Sequence, residues 1–391
     1  MINFKENLPL SLYIHIPWCV KKCPYCDFNS HELGDILPEH DYIRALIADL
    51  EHDLPLIWGR KIIALFIGGG TPSLFSPESI AKLISELRAR LNFAPDIEIT
   101  LEANPGTVDR NKFAEFREVG INRLSIGVQS FNDEFLNKLG RIHGRQEAIN
   151  AAESAHYAGF DNFNLDLMYG LPNQSRDQAV DDLQTAISLS STHISYYQLT
   201  IEPNTRFYAQ PPACLPEDDI MWSMQEQGVS LLQKFGYKQY EVSAYAKVGM
   251  QCKHNLNYWH FGDYLGIGAG AHAKITNVAK QSIQRLAKTK LPKHYMATIG
   301  TVEAINSDYF LKSEDVLFEF MLNALRLTQG ISLDIFSKNS GLSLAVMQDI
   351  LEDAEQQGLL DITAEKIIPT NRGQRFLNDL ISMFLPTDTN H

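Results

Sequence analysis

Cys19, Cys23 and Cys26 lie within eight residues of one another, in the stretch Tyr13-Ile14-His15-Ile16-Pro17-Trp18-Cys19-Val20-Lys21-Lys22-Cys23-Pro24-Tyr25-Cys26-Asp27-Phe28. Iron–sulfur clusters are normally held by one cysteine thiolate per iron, so three thiolates leave the fourth iron of a four-iron cluster open to a small molecule. Structural zinc asks instead for four closed ligands, usually from two paired clusters. No second Cys/His pair accompanies this one, and a zinc site would have to recruit His15 or His31. Three unpaired core cysteines are the remaining reading, against which Pro17, Pro24 and the dense spacing argue by marking a loop. Cys214 and Cys252 stand apart, and five cysteines without a secretion signal are poor evidence for a disulfide framework.

The elements that must position this loop show as an alternation. Leu10 to Ile16 reads as a buried strand directly ahead of the cysteines. Ile43, Leu46, Ile47, Leu50 and Leu54 then repeat at helical spacing. Lys61 to Ile67 is a strand ending in Gly68-Gly69-Gly70-Thr71-Pro72, and Ser76 with Pro77 opens a helix as N-cap and first turn. Further strands are expected at Asp96–Glu102, Ile121–Val128, Asn162–Met168 and His193–Leu199, with Gly120 closing a helix between two of them. A seventh strand is expected at Tyr237–Ser243. Strands alternating with helices mean βαβ units and a parallel sheet, doubly wound or closed toward a barrel. Every unusual motif follows a strand, the place where both architectures put their ligands.

From about residue 305 the texture changes. Val316, Leu317, Phe320, Met321, Ala324 and Leu325 give a helix with a broad apolar face, and further helices are expected from Ile335, across Leu344–Gln357 and through Phe376 and Leu380. With Leu359–Ile362 and Lys366–Pro369 as a hairpin, the arrangement reads as winged-helix-like. Glu352, Asp353, Glu355 and Asp361 surround its third helix, so packing is expected of it rather than DNA reading. The expected organisation is a core barrel over 1–240, a connecting segment over 241–305 and a C-terminal domain over 306–391.

Composition narrows the partners. A formal net charge of −13 argues against a nucleic-acid backbone as the main partner. No apolar run approaches the roughly 20 residues of a membrane span, and Met1-Ile2-Asn3-Phe4-Lys5-Glu6 does not open a signal peptide. A cytoplasmic protein without a transmembrane segment is expected, able to associate peripherally with membrane partners.

The cysteine stretch resembles the cluster motif of the radical S-adenosylmethionine (SAM) superfamily. Together with Gly68-Gly69-Gly70-Thr71-Pro72 it resembles the branch that holds oxygen-independent coproporphyrinogen III oxidase and, within it, heme chaperones. The resemblance implies a partial parallel (β/α)6 barrel with a winged-helix-like α+β domain after it. It implies a [4Fe-4S] cluster on Cys19, Cys23 and Cys26, whose open iron is chelated by SAM. An electron donor would then allow cleavage of the sulfonium to methionine and a deoxyadenosyl radical. It also implies SAM contacts at Tyr13, Tyr25, Gly69, Gly70, Thr71, Glu102, Gln129, Arg141 and Asp166: the tyrosines at the adenine, Gly69 to Thr71 along the methionine portion, Arg141 at the carboxylate and Asp166 at the ribose. Read as residues alone, Glu102 and Asp166 would pair with Arg141 or Arg123.

Two departures set the chain apart from the oxidase pattern. Phe28 stands where the oxidase carries a fourth cysteine, and Met1 to Leu12 precede the motif where the oxidase has a long segment. Conversely, His254-Asn255-Leu256-Asn257-Tyr258-Trp259 matches an HNxxYW motif of the heme chaperones. His254 is thereby implied as a heme ligand beside flat aromatic surface, the alternative being a satisfied histidine among packed rings. The function implied is heme binding and delivery to acceptor hemoproteins, respiratory ones among them. Porphyrinogen decarboxylation is the enzymatic alternative, and RNA modification the more distant one.

Overall fold

The computed structural model describes residues 2–386. Its first strand, β1 (Leu10–Ile16), is buried on both faces, as a strand of a covered parallel sheet must be. Helix α1 (Glu39–Ile57) lays Ile43, Leu46 and Leu50 against that sheet at the expected spacing. Strand β2 (Lys61–Gly69) leads to α2 (Pro77–Arg90), where the Ser76 hydroxyl accepts from the Ser79 amide at 3.2 Å and Pro77 fills the first turn.

The alternation continues through β3 (Asn92–Ala103), α3 (Arg110–Glu118), β4 (Arg123–Gln129), α4 (Arg145–Tyr157), β5 (Phe163–Tyr169), α5 (Arg176–Ser188) and β6 (His193–Gln198). Strands β1 to β6 lie side by side in chain order and all pair parallel. A doubly wound sheet would reverse that order at a switch point; this one does not, which is the arrangement of an open (β/α)6 barrel. The apolar ridges of the helices and the strands share one core running from Leu10 to Tyr295.

Beyond β6 the structure departs from expectation. After α6 (Asp218–Lys234), Tyr237–Ser243 gives no parallel strand: β7 (Lys238–Glu241) and β8 (Ala244–Ala246) form an antiparallel hairpin at one sheet edge. The additional parallel strand is β9 (Asp263–Ile267), added on the far side of β1. It follows α7 (Lys253–Trp259), and the antiparallel strands β10 (His272–Asn277), β11 (Ser282–Lys288) and β12 (Ile305–Phe310) continue from it. The segment expected to connect two domains therefore extends the main sheet, which runs on to Phe310.

The remainder builds a second apolar core around α8 (Ser313–Ala324) and α9 (Leu333–Ser340), with Phe320 and Phe336 in edge contact at 5.0 Å. Strands Ile331–Ser332, Leu360–Ile362 and Lys366–Pro369 make a small antiparallel sheet beside it. The stretch Leu344–Gln357 opens as a 3-10 turn before its α-helix, and the final helix is broken at Phe376, whose ψ of 43° interrupts the turn. Met1 and residues 387–391 of the expected domains fall outside the described residues. Among the described residues no helix is long and apolar enough to cross a membrane.

One buried ion cluster ties α1 to the added strands. Lys288 Nζ lies 2.7 Å from both Asp49 Oδ1 and Asp53 Oδ2, and Tyr295 Oη donates to Asp49 Oδ2 at 2.6 Å. Lys288→Ala leaves two carboxylates buried without their cation and should cost about 3–5 kcal/mol. The expected readout is a lower urea midpoint at unchanged slope; an unchanged midpoint would contradict it.

Candidate functional site

One cavity of about 560 Å³ opens at the strand C-termini, and every residue implied by sequence lines it: Cys19, Cys23, Cys26, Tyr13, Tyr25, Gly69, Gly70, Thr71, Glu102, Gln129, Arg141, Asp166 and His254. The first twelve come from the loop after β1 and from the strands and loops of β1 to β5. His254 comes from α7, which packs on β1, β2 and β9.

The cysteine loop is fastened to the glycine loop by backbone. Gly70 N donates to Ile16 O at 2.7 Å and Thr71 N to Trp18 O at 2.8 Å, prolonging the β1–β2 ladder past both strand ends. A side chain at Gly70 would put its Cβ 2.5 Å from the Trp18 carbonyl oxygen, so this approach requires glycine. Gly69 has φ of +115°, and its added Cβ would meet the His15 ring at 2.5 Å. That ring is itself pinned, with Nε2 bonded to Asn29 O at 2.8 Å and Nδ1 to Tyr13 Oη at 3.0 Å. Asn29 donates onward to Ala269 O and Lys290 O at 2.8 and 2.9 Å, anchoring the far end of the cysteine loop.

The two carboxylates, Glu102 and Asp166, are half-buried at the cavity wall without an ion pair to Arg141 or Arg123 among the described residues. Glu102 Oε2 accepts from Gly69 N at 2.9 Å. Burial, reinforced by the charge of Asp166, pushes its carboxyl up to about 8. Asp166 accepts from Ser125 Oγ at 3.2 Å and from Asn164 Nδ2 at 2.8 Å, and burial raises it as well. Gln129 holds φ of 73° at a bulge in β4, a strained position for a side-chain-bearing residue, and accepts from Tyr197 Oη at 2.7 Å. Asp182 fixes that turn from α5, accepting from Ser130 Oγ at 2.7 Å and Phe131 N at 2.6 Å. Arg141 donates to Gly127 O at 2.5 Å, points Nη1 at Cys23 Sγ at 3.6 Å and leaves its buried Nε without a partner.

His254 is only 2% exposed, and neither ring nitrogen has a hydrogen-bond partner. The ring stacks on Phe66 at 5.0 Å and meets Tyr258 edge-on at 4.8 Å. Glu98 caps the start of α7, accepting from the Lys253 and His254 amides at 3.1 and 3.2 Å. Burial, with Arg123 nearby, lowers the imidazole to about 3, so it is neutral with a free lone pair.

Of the inner wall of the cavity, sequence reading named Asp166 on β5 and missed the rest. Arg123, Ser125 and Gly127 on β4, Asn164 on β5, and His193, Ser195 and Tyr197 on β6 all face it. The signal was present as polar residues at every second position, the strand period, inside segments read as apolar runs. His193 Nδ1 donates to Asn164 Oδ1 at 2.7 Å, so its Nε2 accepts from Tyr240 Oη at 2.9 Å.

These residues fit the implied cofactors. Burial raises the Cys19 and Cys26 thiols, which makes them poor free nucleophiles and leaves metal binding as the way to obtain thiolates. Among the described residues no three His, Cys, Asp or Glu side chains converge on a single-ion centre; a cluster, which takes one thiolate per iron, does not ask them to. The orphaned Arg141 Nε and the strained Gln129 border the same space.

A buried neutral histidine leaves a pH signature. Its folded pKa lies below the ordinary 6.5, so the unfolded chain binds more protons in acid, and the stability it contributes is complete above pH 6.5 and is lost as pH falls toward 3. His254→Gln should flatten the fall in unfolding free energy between pH 6.5 and about 4 relative to the parent, by up to about 1.4 kcal/mol per pH unit. Parallel curves would contradict the assignment.

The comparisons with known proteins agree with this geometry. The Radical SAM superfamily matches residues 13–186, and the HemN C-terminal domain matches residues 311–376. A heme chaperone HemW of Haemophilus influenzae is 51% identical over 381 residues, spanning 96% of this chain and 98% of the relative. Its counterpart from Escherichia coli is 50% identical over 377 residues with the same coverage, and that of Bacillus subtilis 35% over 381. Among solved structures, coproporphyrinogen III oxidase (HemN) from Escherichia coli superposes with a TM-score of 0.81 over 97% of this chain and 90% of its own, at 24% identity, a likeness of fold. By sequence over nearly its whole length and by fold, the chain belongs to the HemW family of the radical SAM superfamily.

Proposed function

We propose that the protein is a heme chaperone that carries a [4Fe-4S] cluster with SAM at its open iron, binds heme and passes it to acceptor hemoproteins. The observation that carries the reading is the meeting, in one cavity, of the three cysteines with a neutral imidazole whose two nitrogens are unbonded. An axial heme ligand needs such an imidazole, and the near-full-length likeness to proteins named heme chaperone HemW supports the same use. Acceptors among respiratory hemoproteins, an electron donor for the cluster and action in the cytoplasm beside membrane partners belong to this proposal.

Cys19, Cys23 and Cys26 would hold the cluster, and Gly69 to Thr71 would run along the methionine portion of SAM. Arg141 would pair with its carboxylate, Asp166 would accept from its ribose hydroxyls, Gln129 would make a further contact, and Tyr13 and Tyr25 would border the adenine. When bound, cluster and SAM together supply a one-electron cleavage of the sulfonium. Phe28, 59% exposed at the cavity mouth, offers no thiol where the oxidase has one.

Anaerobic protein with its cluster rebuilt should bind hemin with a shifted Soret band and yield no decarboxylated product from coproporphyrinogen III with SAM and reductant. Efficient product formation would sink the chaperone reading. Glu102 provides a second check. With its carboxyl near 8 in the free site, accepting from the N–H groups of the SAM amine as a carboxylate requires loss of its proton, so affinity rises with pH from 6 toward 8. Isothermal titration of SAM should show that slope, up to tenfold per pH unit, in the parent and lose it in Glu102→Gln; equal slopes would remove Glu102 from the contact set.

A further inference from the structure

Arg123 opens β4, at the end of the barrel opposite the cysteines, and lines the cavity while only 2% exposed. Its guanidinium makes no ion pair and no hydrogen bond among the described residues, and its buried Nε is an orphan. The nearest carboxylates act on it only through space, and their oxygens are already engaged. Glu98 accepts from the Cys252 thiol at 3.5 Å and from the Lys253 and His254 amides, and Asp166 from Ser125 and Asn164. A buried guanidinium whose Nε has no acceptor is costly unless a ligand completes it.

Other groups line the same cavity unsatisfied: the single N–H and the lone pair of the neutral His254 ring, the buried Trp259 Nε1 and the Arg326 Nε. Arg326 reaches in from beyond α8, its Nη2 2.9 Å from Glu241 and its guanidinium 4.5 Å from the centre of the Trp259 ring. Apart from the His254 lone pair, the unsatisfied groups at this end are N–H donors, which selects for an acceptor-rich anion.

We propose that the barrel floor is an anion site that takes a carboxylate, with Arg123 as its charged anchor and His254 and Trp259 as neutral donors. The carboxylate is a propionate arm of the porphyrin, a source that rests on the chaperone reading, or a free small carboxylate. The planar fork of arginine suits either by paired N–H bonds.

The test compares the full-length parent protein with Arg123→Met and Arg123→Lys, with Arg123→Gln in reserve should the methionine variant fail to fold. Hemin, hemin dimethyl ester and sodium acetate at constant ionic strength are the probes. Hemin affinity should drop at least about tenfold in Arg123→Met and recover in part in Arg123→Lys, while the ester binds parent and variant alike. Without acetate, Arg123→Met should melt no lower than the parent, because it removes an unpaired buried charge; a lower melting temperature would mark a structural arginine and overturn the proposal. Equal hemin affinities, with acetate raising the melting temperature of the parent alone, would assign the site to a free carboxylate. Equal hemin affinities and no acetate effect overturn the proposal. Failure of the parent to bind hemin removes the chaperone reading and leaves the acetate comparison to decide the floor site.

Discussion

The contact on which the rest of the site depends is the approach of two loop backbones, Gly70 against Trp18. It carries two hydrogen bonds and tolerates no Cβ. By extending the β1–β2 ladder beyond the strands, it converts the register of a parallel sheet into the position of a metal-binding loop. Tyr13 pairs with Phe66 and Ile16 with Gly69 in that register. A slip of β1 by one residue would turn Tyr13 away from the cavity and put the cysteine loop out of step with the glycines.

A second constraint follows from placing polar groups inside a barrel. The interior of this one carries carboxylates, amides, hydroxyls, imidazoles and a guanidinium. Most are satisfied by one another, as along Asp166, Ser125, Asn164, His193 and Tyr240. The exceptions cluster at the two ends: Arg141 near the cysteines, and Arg123, His254 and Trp259 at the floor. Burial without partners is expensive, and these are therefore the places where a ligand changes the energy most.

Much of this was legible in the residues. The cysteine spacing, the glycine turn and the strand-to-helix alternation each have a local physical signature, and β1 and α2 fall where their patterns put them. Tyr237–Ser243 misled because a short apolar run has the same composition in a parallel strand and in an edge hairpin; only pairing distinguishes them. The parallel strand β9 was hidden because its partner β1 lies at the other end of the chain. The alternative reading, in which Glu102 and Asp166 pair with arginines, is not what the structure shows, for a similar reason. Charge complementarity is visible in a sequence, whereas competition from the Gly69 amide, Ser125 and Asn164 is visible only in space.

The far wall of the cavity has a bearing on how the protein is made. The cysteine loop is synthesised before α7, Glu241 and Arg326, which close the opposite end. Leu327 also bridges to Glu241, joining the late segment to the barrel edge. The low-dielectric chamber on which the raised Glu102 and the neutral His254 depend is thus a property of the completed fold, which needs these later segments as much as the cysteine loop.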